Sequence, residues 1–377
     1  MNTLYAIDLF SGAGGITQAL KNSGFNVRLA IEMNPVFTKS YRLNHCRAEM
    51  GEKDYIIERN ILEVTKEDIE DLASDLLGGQ LDLLAGCPPC QGFSRQMVFK
   101  KKVMDPRNYL AFEYLRFVKM FRPKYIFLEN VPGFGENKVI WPRLKESLQK
   151  KTDDGISYKL KFGRIDAADL GVPQRRNRFV LVGKRLDICK NTDLRDTSEV
   201  PFPELKYKDN HVTLEDYFKQ FNLPKPLPLR EAPNDQLHKY SHLGNLNLLR
   251  LQHTPPGKGR ESWPEKVTVN GENIRLKLKC HDNNPGYRDV YGRMDWKSVA
   301  PTLTGGCLNI SKGRFAYPTE DRPITAREAA LIQTFPPDYK FAGTWTDIAL
   351  QIGNAVPVKM GQAFFDEIVK DIQKARD

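Results

Sequence analysis

The sequence predicts an α/β protein: a doubly wound, mostly parallel sheet joined to a second, smaller, loop-rich domain. Three observations lead there. Over the first 185 residues, short apolar runs alternate with amphipathic stretches, the mark of strands crossing over through helices. A glycine-rich loop follows the first apolar run directly. After Arg185 the chain turns rich in Pro, Asn, Gly and Lys, and its periodicity fades. A length of 377 residues also exceeds the size at which one core usually keeps growing, so two domains are expected.

Taken in order, residues 4–10 read as a buried strand and 16–22 as a helix closed by Gly24. Residues 25–31 form a second strand, with a helix around 36–43. Further strands are expected at 81–85, 125–128 and 179–182, and helices at 67–77 and 109–121. The stretch 185–315 carries turn signals such as Lys225-Pro226-Leu227-Pro228 and Thr254-Pro255-Pro256-Gly257. Thr325 followed by Glu328 is a capping box that opens a helix over 326–333. Met360, Phe364, Ile368 and Ile372 recur at a spacing of four and predict a terminal amphipathic helix over 359–374. The expected division is a first domain of residues 1–184 completed by 316–377, with 185–315 as the second.

Lys and Arg number 57 against 47 Asp and Glu, a net charge of +10. That excess favours a polyanionic partner, of which nucleic acid is the commonest. No run of about 18 apolar residues exists to span a membrane. The N-terminus lacks the pattern of a signal peptide, so a cytoplasmic protein is expected. Six cysteines (46, 87, 90, 189, 280 and 307) are too sparse and irregular for a disulfide scaffold and fit a reducing compartment.

The first strand runs into Asp8-Leu9-Phe10-Ser11-Gly12-Ala13-Gly14-Gly15, and a helix follows. In an open parallel sheet, ligands bind at the carboxyl ends of the strands, and glycines there let the backbone approach them closely. Glu32 ends the second strand, where a carboxylate can accept hydrogen bonds from ribose hydroxyls. A plain tight turn is one reading and a dinucleotide site another. The dinucleotide pattern wants a third glycine where this chain has Thr17. A nucleoside cofactor without pyrophosphate suits the loop better, with S-adenosylmethionine the leading candidate.

After the strand at 81–85 comes Gly86-Cys87-Pro88-Pro89-Cys90-Gln91-Gly92-Phe93-Ser94. Two prolines restrict the backbone ahead of Cys90. Taken alone, C-x-x-C also reads as a redox pair, as half a zinc site or as two structural cysteines. No second C-x-x-C or spaced histidine pair completes a zinc site, and no metal is expected. The strand at 125–128 delivers Glu129-Asn130-Val131 to the same sheet edge, where a carboxylate beside a thiol can act as an acid. Gln174-Arg175-Arg176-Asn177-Arg178 precedes the strand at 179–182, and arginine offers planar donors suited to base edges or phosphates. A surface Glu and a solvated basic edge are the bland readings of these two motifs.

Together these residues resemble the bacterial DNA cytosine-C5 methyltransferases. The family's motifs stand in its order: DLFSGAGG (8–15), GCPPCQGFS (86–94), ENVPGF (129–134), QRRNRF (174–179), REAALIQTFP (327–336) and GNAVPV (353–358). They span nearly the whole chain, and the P-C-Q and E-N-V blocks are the most diagnostic. The resemblance implies a Rossmann-like S-adenosylmethionine-dependent methyltransferase sheet, with 185–315 in the slot of a target recognition domain.

It also implies roles, position by position. Cys90 matches the nucleophile and Cys87 does not. Glu129 matches the residue that binds N3 of the target cytosine. Arg176 and Arg178 resemble the pair that holds the cytosine O2 and steadies the site. Phe10, Ser11, Gly12, Ala13, Gly14, Gly15, Glu32, Met33, Ile61 and Pro89 are similar to cofactor-pocket positions, completed by Leu110, Asn354 and Ala355. The family commonly has Asp where this chain has Asn60; an amide oxygen still accepts from an adenine amino group, without the charge. Gln91, Ser94, Arg95, Lys100, Lys101 and Thr302 are the expected DNA contacts.

The implied reaction moves a methyl group from S-adenosylmethionine to C5 of a cytosine flipped out of duplex DNA, through a covalent Cys90–C6 adduct, leaving S-adenosylhomocysteine. A monomer is expected, with a cognate restriction endonuclease acting on the same site without direct contact. Rival readings are a non-enzymatic DNA-binding protein, a thiol-disulfide oxidoreductase and a tRNA cytosine methyltransferase. The last lacks a sizeable recognition domain.

Overall fold

The computed structural model describes residues 3–46, 51, 53–89, 110–151, 156–228, 231, 235–278 and 289–375. Two compact units make up the chain: Met1–Leu170, Asn177–Lys206 and Val356–Asp377 form the first, Gly171–Arg176 and Tyr207–Ala355 the second. This division differs from the expected one. Residues 185–206 group with the sheet, whereas 171–176 and 316–355 group with the second unit.

The first unit alternates β1 (Leu4–Leu9), α1 (Gly15–Asn22), β2 (Phe25–Glu32), α2 (Pro35–His45), β3 (Ile56–Glu58) and α3 (Lys66–Ala73). It continues with β4 (Leu83–Gly86), α4 (Leu110–Phe121), β5 (Tyr125–Asn130), the short α5 (Pro132–Gly135), α6 (Ile140–Gln149), β6 (Tyr158–Asp166) and β7 (Asn177–Arg185). The seven strands order as β3-β2-β1-β4-β5-β7-β6. Neighbours from β3 to β5 are parallel, whereas β7 lies antiparallel to both β5 and β6. The chain reverses direction across the sheet between β1 and β4, and the carboxyl ends of β1, β2, β4 and β5 share one edge. Such an edge is where an open α/β sheet binds ligands.

The second unit holds α7 (Leu214–Phe218), the two-residue strands β8 (Leu227–Pro228) and β9 (Lys239–Tyr240), and α8 (Asn245–Gln252). The hairpin β10 (Lys266–Val269) and β11 (Glu272–Arg275) follows, then α9 (Ala326–Ile332) and α10 (Trp345–Asn354). The chain returns to the first unit as α11 (Val358–Lys374).

Alternation along the strands sends side chains to both faces of the sheet. Ile7, Leu84, Ile126 and Leu128 share one core with Tyr114, Phe117 and Phe121 of α4 and Leu144 and Leu148 of α6. Phe127 points the other way and meets Phe364 and Phe365 of α11, with ring centroids 5.5 and 5.0 Å away. α11 also packs on α1: a Cβ at Gly361 would come within 3.1 Å of Ala19, and Ser23 Oγ donates to Asp366 at 2.6 Å. Helices on both faces bury the parallel strands, as such a sheet requires.

Capping fixes several helix starts. Asn34 accepts from the backbone of Val36 and Phe37 at the head of α2, beside a proline in the first turn. The capping box expected at Thr325 and Glu328 is present, and Thr65 with Asp68 and Thr344 with Asp347 form two more. The helix expected over 67–77 stops at Ala73, whose φ of −147° breaks it; a short 3-10 turn follows, interrupted at Leu77, which is extended, and Gly78, with φ of 69°. No helix among the described residues is long and apolar enough to cross a membrane.

Candidate active site

The glycine loop turns sharply at the end of β1. Phe10, Gly12 and Gly14 all have positive φ, at 59°, 56° and 96°. That region is strained for most residues and costs glycine little, so the two glycines answer a backbone need. A Cβ at Gly12 would meet nothing within 4 Å, which leaves open space over the loop. Gly14 is the N-cap of α1, and Ser11 N–H donates to the Ile31 carbonyl, tying the loop to β2.

Glu32 shapes the same loop. Its carboxylate accepts from Gly12 N at 3.0 Å and from Asn34 N at 2.8 Å. Burial raises its pKa, and these backbone donors partly offset the rise. Next to it, the Met33 side chain is 64% exposed and offers an apolar wall to a flat ring. Asn60 caps the short turn Ile61–Glu63 by accepting from Leu62 N at 3.2 Å. An amide oxygen has two lone pairs, so capping leaves Asn60 one more acceptor site. Ile61 is buried, and its carbonyl accepts from Arg116 at 2.7 Å. Leu110 opens α4, half-buried against the core. The positive-φ glycines, the open space at Gly12 and the anchored Glu32 fit a nucleoside cofactor.

Asp8 escaped the sequence reading as a site residue. It is fully buried at the end of β1, where its Oδ2 accepts from Thr17 Oγ1 at 2.7 Å; that hydroxyl also meets Tyr41 OH at 2.8 Å. Oδ1 has no hydrogen-bond partner among the described residues. Burial pushes the Asp8 carboxyl up to about 7, against the pull of the Thr17 donors. Its signal in the sequence was proximity to the glycine loop alone.

Cys90, Gln91, Ser94, Arg95, Lys100 and Lys101 lie outside the described residues. The approach to Cys90 is described. Cys87 N–H donates to the Leu9 carbonyl at 3.3 Å, joining this segment to β1. Pro88 offers its carbonyl to Asn130 Nδ2 at 3.1 Å, and Asn130 Oδ1 accepts from Val131 N at 2.9 Å. Asn130 thus pins both its own turn and the residues leading through Pro89 to Cys90. Gly86 keeps β4 close to α4: a Cβ there would fall 2.6 Å from the Tyr114 ring. The Tyr114 hydroxyl donates to the carbonyls of Leu84 and Phe127 at 3.1 Å each, bridging β4 and β5.

Glu129 and Arg178 meet as an ion pair, with Arg178 Nε 2.7 Å from Glu129 Oε1. Both side chains are largely buried, at 9% and 14% exposed. The pair depends on the antiparallel register of β5 and β7, which sets Glu129 opposite Val180 and Asn130 opposite Phe179. A buried carboxylate held by a guanidinium keeps its charge and a fixed orientation.

Arg176 has a different position. It is 2% exposed in the second unit, where its guanidinium donates to the carbonyls of Leu303 and Gly353 at 2.8 Å each. Gln174 accepts from Leu303 N at 3.0 Å and donates to Gln333 at 2.9 Å; Gln333 donates on to Ile352 and Ala355. A Cβ at Gly353 would collide with the Thr304 backbone at 2.1 Å. The carbonyls around Asn354 and Ala355 are therefore fixed by buried side chains, while the Asn354 side chain is exposed. Thr302 donates its hydroxyl to the Arg175 carbonyl at 2.7 Å. Arg176 and Arg178 thus divide their work, one holding backbone and one holding a carboxylate.

Among the described residues no cluster of three or more His, Cys, Asp or Glu could hold a metal ion. Burial pushes the Cys46 and Cys307 thiols up to about 11 and about 12, far from the thiolate a nucleophile requires.

The family model for C-5 cytosine-specific DNA methylases matches residues 4–370. The chain belongs to that family. It is a DNA (cytosine-5)-methyltransferase. It is 32% identical over 376 residues to the Type II methylase M.HgiDII of Herpetosiphon aurantiacus, covering 97% of this chain and 95% of that one. Against the Type II methyltransferase M1.HphI of Haemophilus parahaemolyticus it is 29% identical, covering 98% and 87%. The structure of the Entamoeba histolytica methyltransferase EhMeth superposes with a TM-score of 0.62 at 18% identity, covering 99% of each chain, and so shares the fold. C-5 cytosine methylases use S-adenosylmethionine, which agrees with the open glycine loop of this methyltransferase.

Proposed function

We propose that the methyltransferase acts on a cytosine flipped out of a specific duplex sequence, through a covalent bond between Cys90 Sγ and C6 of the base. The observation that carries this is the buried Glu129–Arg178 pair, on the strand whose last residue, Asn130, clamps the segment leading to Cys90. The target atom lies inside the base stack, so the base has to leave it before any side chain reaches C6.

Cytosine C5 is a weak nucleophile. Attack of the Cys90 thiolate forms the S–C6 bond and shifts the C5–C6 π electrons onto C5. As charge develops on the ring, N3 takes a proton from solvent, and the Glu129 carboxylate holds it there by accepting from N3–H. Arg178 fixes that carboxylate and donates toward O2. Phe10 to Gly15, Glu32, Met33, Asn60, Ile61, Pro89 and Leu110 are the residues to hold S-adenosylmethionine, with Asn354 and Ala355 as further candidates. When bound, it supplies the methyl group and leaves as S-adenosylhomocysteine. Water takes the C5 proton, the Cys90 sulfur leaves C6 as a thiolate, and N3 returns its proton to solvent; the C5–C6 double bond is restored and 5-methylcytosine is released. Arg176 acts through the backbone it holds.

Target recognition is assigned to 185–315, most of which belongs to the second unit. In the cell the enzyme would work in the cytoplasm as a monomer. There it would protect host DNA from an endonuclease that cuts the same site, without binding that endonuclease.

Cys90→Ser tests the mechanism. Methyl transfer to DNA should be lost while cofactor binding persists, and full activity in that variant would refute the nucleophile. Duplex DNA with 5-fluorocytosine at the target should trap the parent enzyme, because fluorine blocks proton loss from C5. A denaturing gel then shows a shifted band, and the shift is absent with Cys90→Ser. Comparing methyl incorporation into duplex DNA and tRNA separates this reading from a tRNA enzyme, with DNA expected to be the substrate.

A further inference from the structure

The second unit carries an exposed two-stranded ribbon that none of the reaction steps uses. β10 and β11 pair antiparallel, with Lys266 opposite Arg275, Val267 opposite Ile274, Thr268 opposite Asn273 and Val269 opposite Glu272. They join through Asn270 and Gly271, with φ of 50° and 83°. Two positive φ values in a two-residue loop give the turn whose twist matches a hairpin.

The ribbon has two different faces. Val267, Val269 and Ile274 are half-buried on one. Lys266, Thr268 and Asn273 are exposed on the other, where Thr268 Oγ1 lies 2.9 Å from Asn273 Oδ1 across the strands. The exposed face offers an amide, a hydroxyl and an ammonium group, with half-buried Arg275 opposite Lys266, and exposed Glu272 stands on the other face.

A lone hairpin is marginally stable in water. This one is fixed at its root. Leu276, directly after β11, is fully buried; its N–H donates to the Glu265 carbonyl, and its own carbonyl accepts from Arg250 Nε at 3.0 Å. Arg250, on α8, is itself buried and lies over the rings of Trp263 and Tyr291 at 5.3 and 5.4 Å. Trp263 donates its indole N–H to Thr254 at 2.8 Å. Burying a guanidinium is costly unless its donors and its face are matched. Here that arrangement sets the direction of an element whose outer half, from Asn270 to Asn273, is wholly exposed.

We infer that the β10–β11 ribbon reads bases in the major groove of the target duplex, with Thr268 and Asn273 making the discriminating hydrogen bonds and Lys266 holding a flanking phosphate. Four residues per strand make a ribbon about 14 Å long, with strands about 4.8 Å apart. The major groove is about 12 Å wide and accepts a two-stranded ribbon. Its base edges carry distinct donor and acceptor patterns, and an asparagine amide pairs with both kinds at once. This assignment rests on target recognition residing in this part of the chain.

The test uses the full chain and two independent readouts. A random duplex library is selected by binding to the parent, to Thr268→Ala, to Asn273→Ala and to Lys266→Ala; cellular DNA from strains expressing each is sequenced after bisulfite treatment. All three positions are exposed, and unchanged melting temperatures verify the folds. The parent should enrich one motif. Thr268→Ala and Asn273→Ala should lower discrimination at one or two positions of that motif by at least about tenfold, while methylation of the best site stays within about threefold. Lys266→Ala should weaken binding to every sequence alike and flatten the salt dependence. An unchanged motif in both Thr268→Ala and Asn273→Ala overturns the inference, as does uniform weakening in all three variants, which would leave the ribbon touching phosphates alone. A parent that selects no duplex motif overturns it too. Absence of methylcytosine beside a clear binding motif would instead count against the catalytic reading and leave the ribbon's role tested by binding.

Discussion

At the scale of single residues, the Glu129–Arg178 pair concentrates the chemistry. Each partner compensates the other's charge in a site mostly closed to water. Removing one leaves an uncompensated buried charge, which costs roughly 3–5 kcal/mol where both partners are well buried. Arg178→Ala should therefore lower the melting temperature as well as activity. Glu129→Gln keeps the shape and loses the carboxylate charge. Its kcat and kcat/KM should fall together, by at least about a hundredfold, because the lost interaction forms only as charge develops on the ring. Single-turnover methylation of duplex DNA measures both, and a change confined to KM would reject the role. Asp8 makes a second residue-scale prediction. Its carboxyl ionises at about 7 in the fold against an ordinary value of 3.8. Between about pH 4 and 7 the folded state holds the extra proton, so this group's contribution to stability falls as pH rises through that window. Asp8→Asn stays neutral throughout. Urea denaturation should show the variant gaining on the parent from pH 5 to pH 8, with about 3 kcal/mol as the upper limit. A difference between the two proteins that does not change with pH would refute it.

At the scale of elements, close approach of backbones recurs where the site is built. Gly86 lets Tyr114 lie on β4 and bridge it to β5. Gly86→Ala should force that ring aside, at about 1–3 kcal/mol of overpacking, and lower activity by loosening the approach to Cys90. Thermal unfolding and methyl transfer measured together check it, and a variant with parental stability would show that the ring gives way freely. Elements differed in how legible they were. β1, β4 and β5 are largely apolar runs buried on both faces, and β2 alternates Phe25, Val27 and Leu29 with Asn26 and Arg28 before Ala30 and Ile31; both patterns are read from sequence directly. β3 has three residues, too few for any period. β6 hides because Lys159, fully buried, breaks its apolar run while donating to Asn191 at 2.7 Å. α10, absent from the expected elements, opens on a Thr344–Asp347 capping box. The site followed the same rule. Motif blocks named Glu129 and the arginines, but which arginine meets the carboxylate depends on strand register, and register is a tertiary fact. Gln174 and Gln333 stand in two of the motif blocks, but their pairing is not legible there, since a buried amide pair exists only once both segments are folded.

At the scale of the whole molecule, charge and exposure set how the enzyme meets its substrate. The net charge of +10 is modest for 377 residues, and many cations are already committed. Arg28, Arg42, Arg59, Arg185 and Arg314 pair with carboxylates, and Arg176 and Arg250 are buried on carbonyls. Phosphate binding falls to lysines and arginines outside such pairs, and it predicts a measurable salt slope. Each neutralised phosphate contributes about −0.9 to the slope of log K against log salt on duplex DNA, so about six contacts would lower affinity roughly a thousandfold between 50 and 200 mM salt. Titrating duplex DNA with the Cys90→Ser variant across that range gives the slope without turnover. A slope near zero would remove phosphate contacts from the picture and leave shape or base contacts to carry all the affinity. A slope far steeper than six contacts allow would mean that the paired arginines exchange their carboxylates for phosphates on binding. Arg42→Ala separates the two cases, because it removes one such arginine while leaving the glycine loop and the Glu129–Arg178 pair untouched. The expected outcome is an unchanged slope in Arg42→Ala; a slope shallower by about one unit would show that exchange is part of binding.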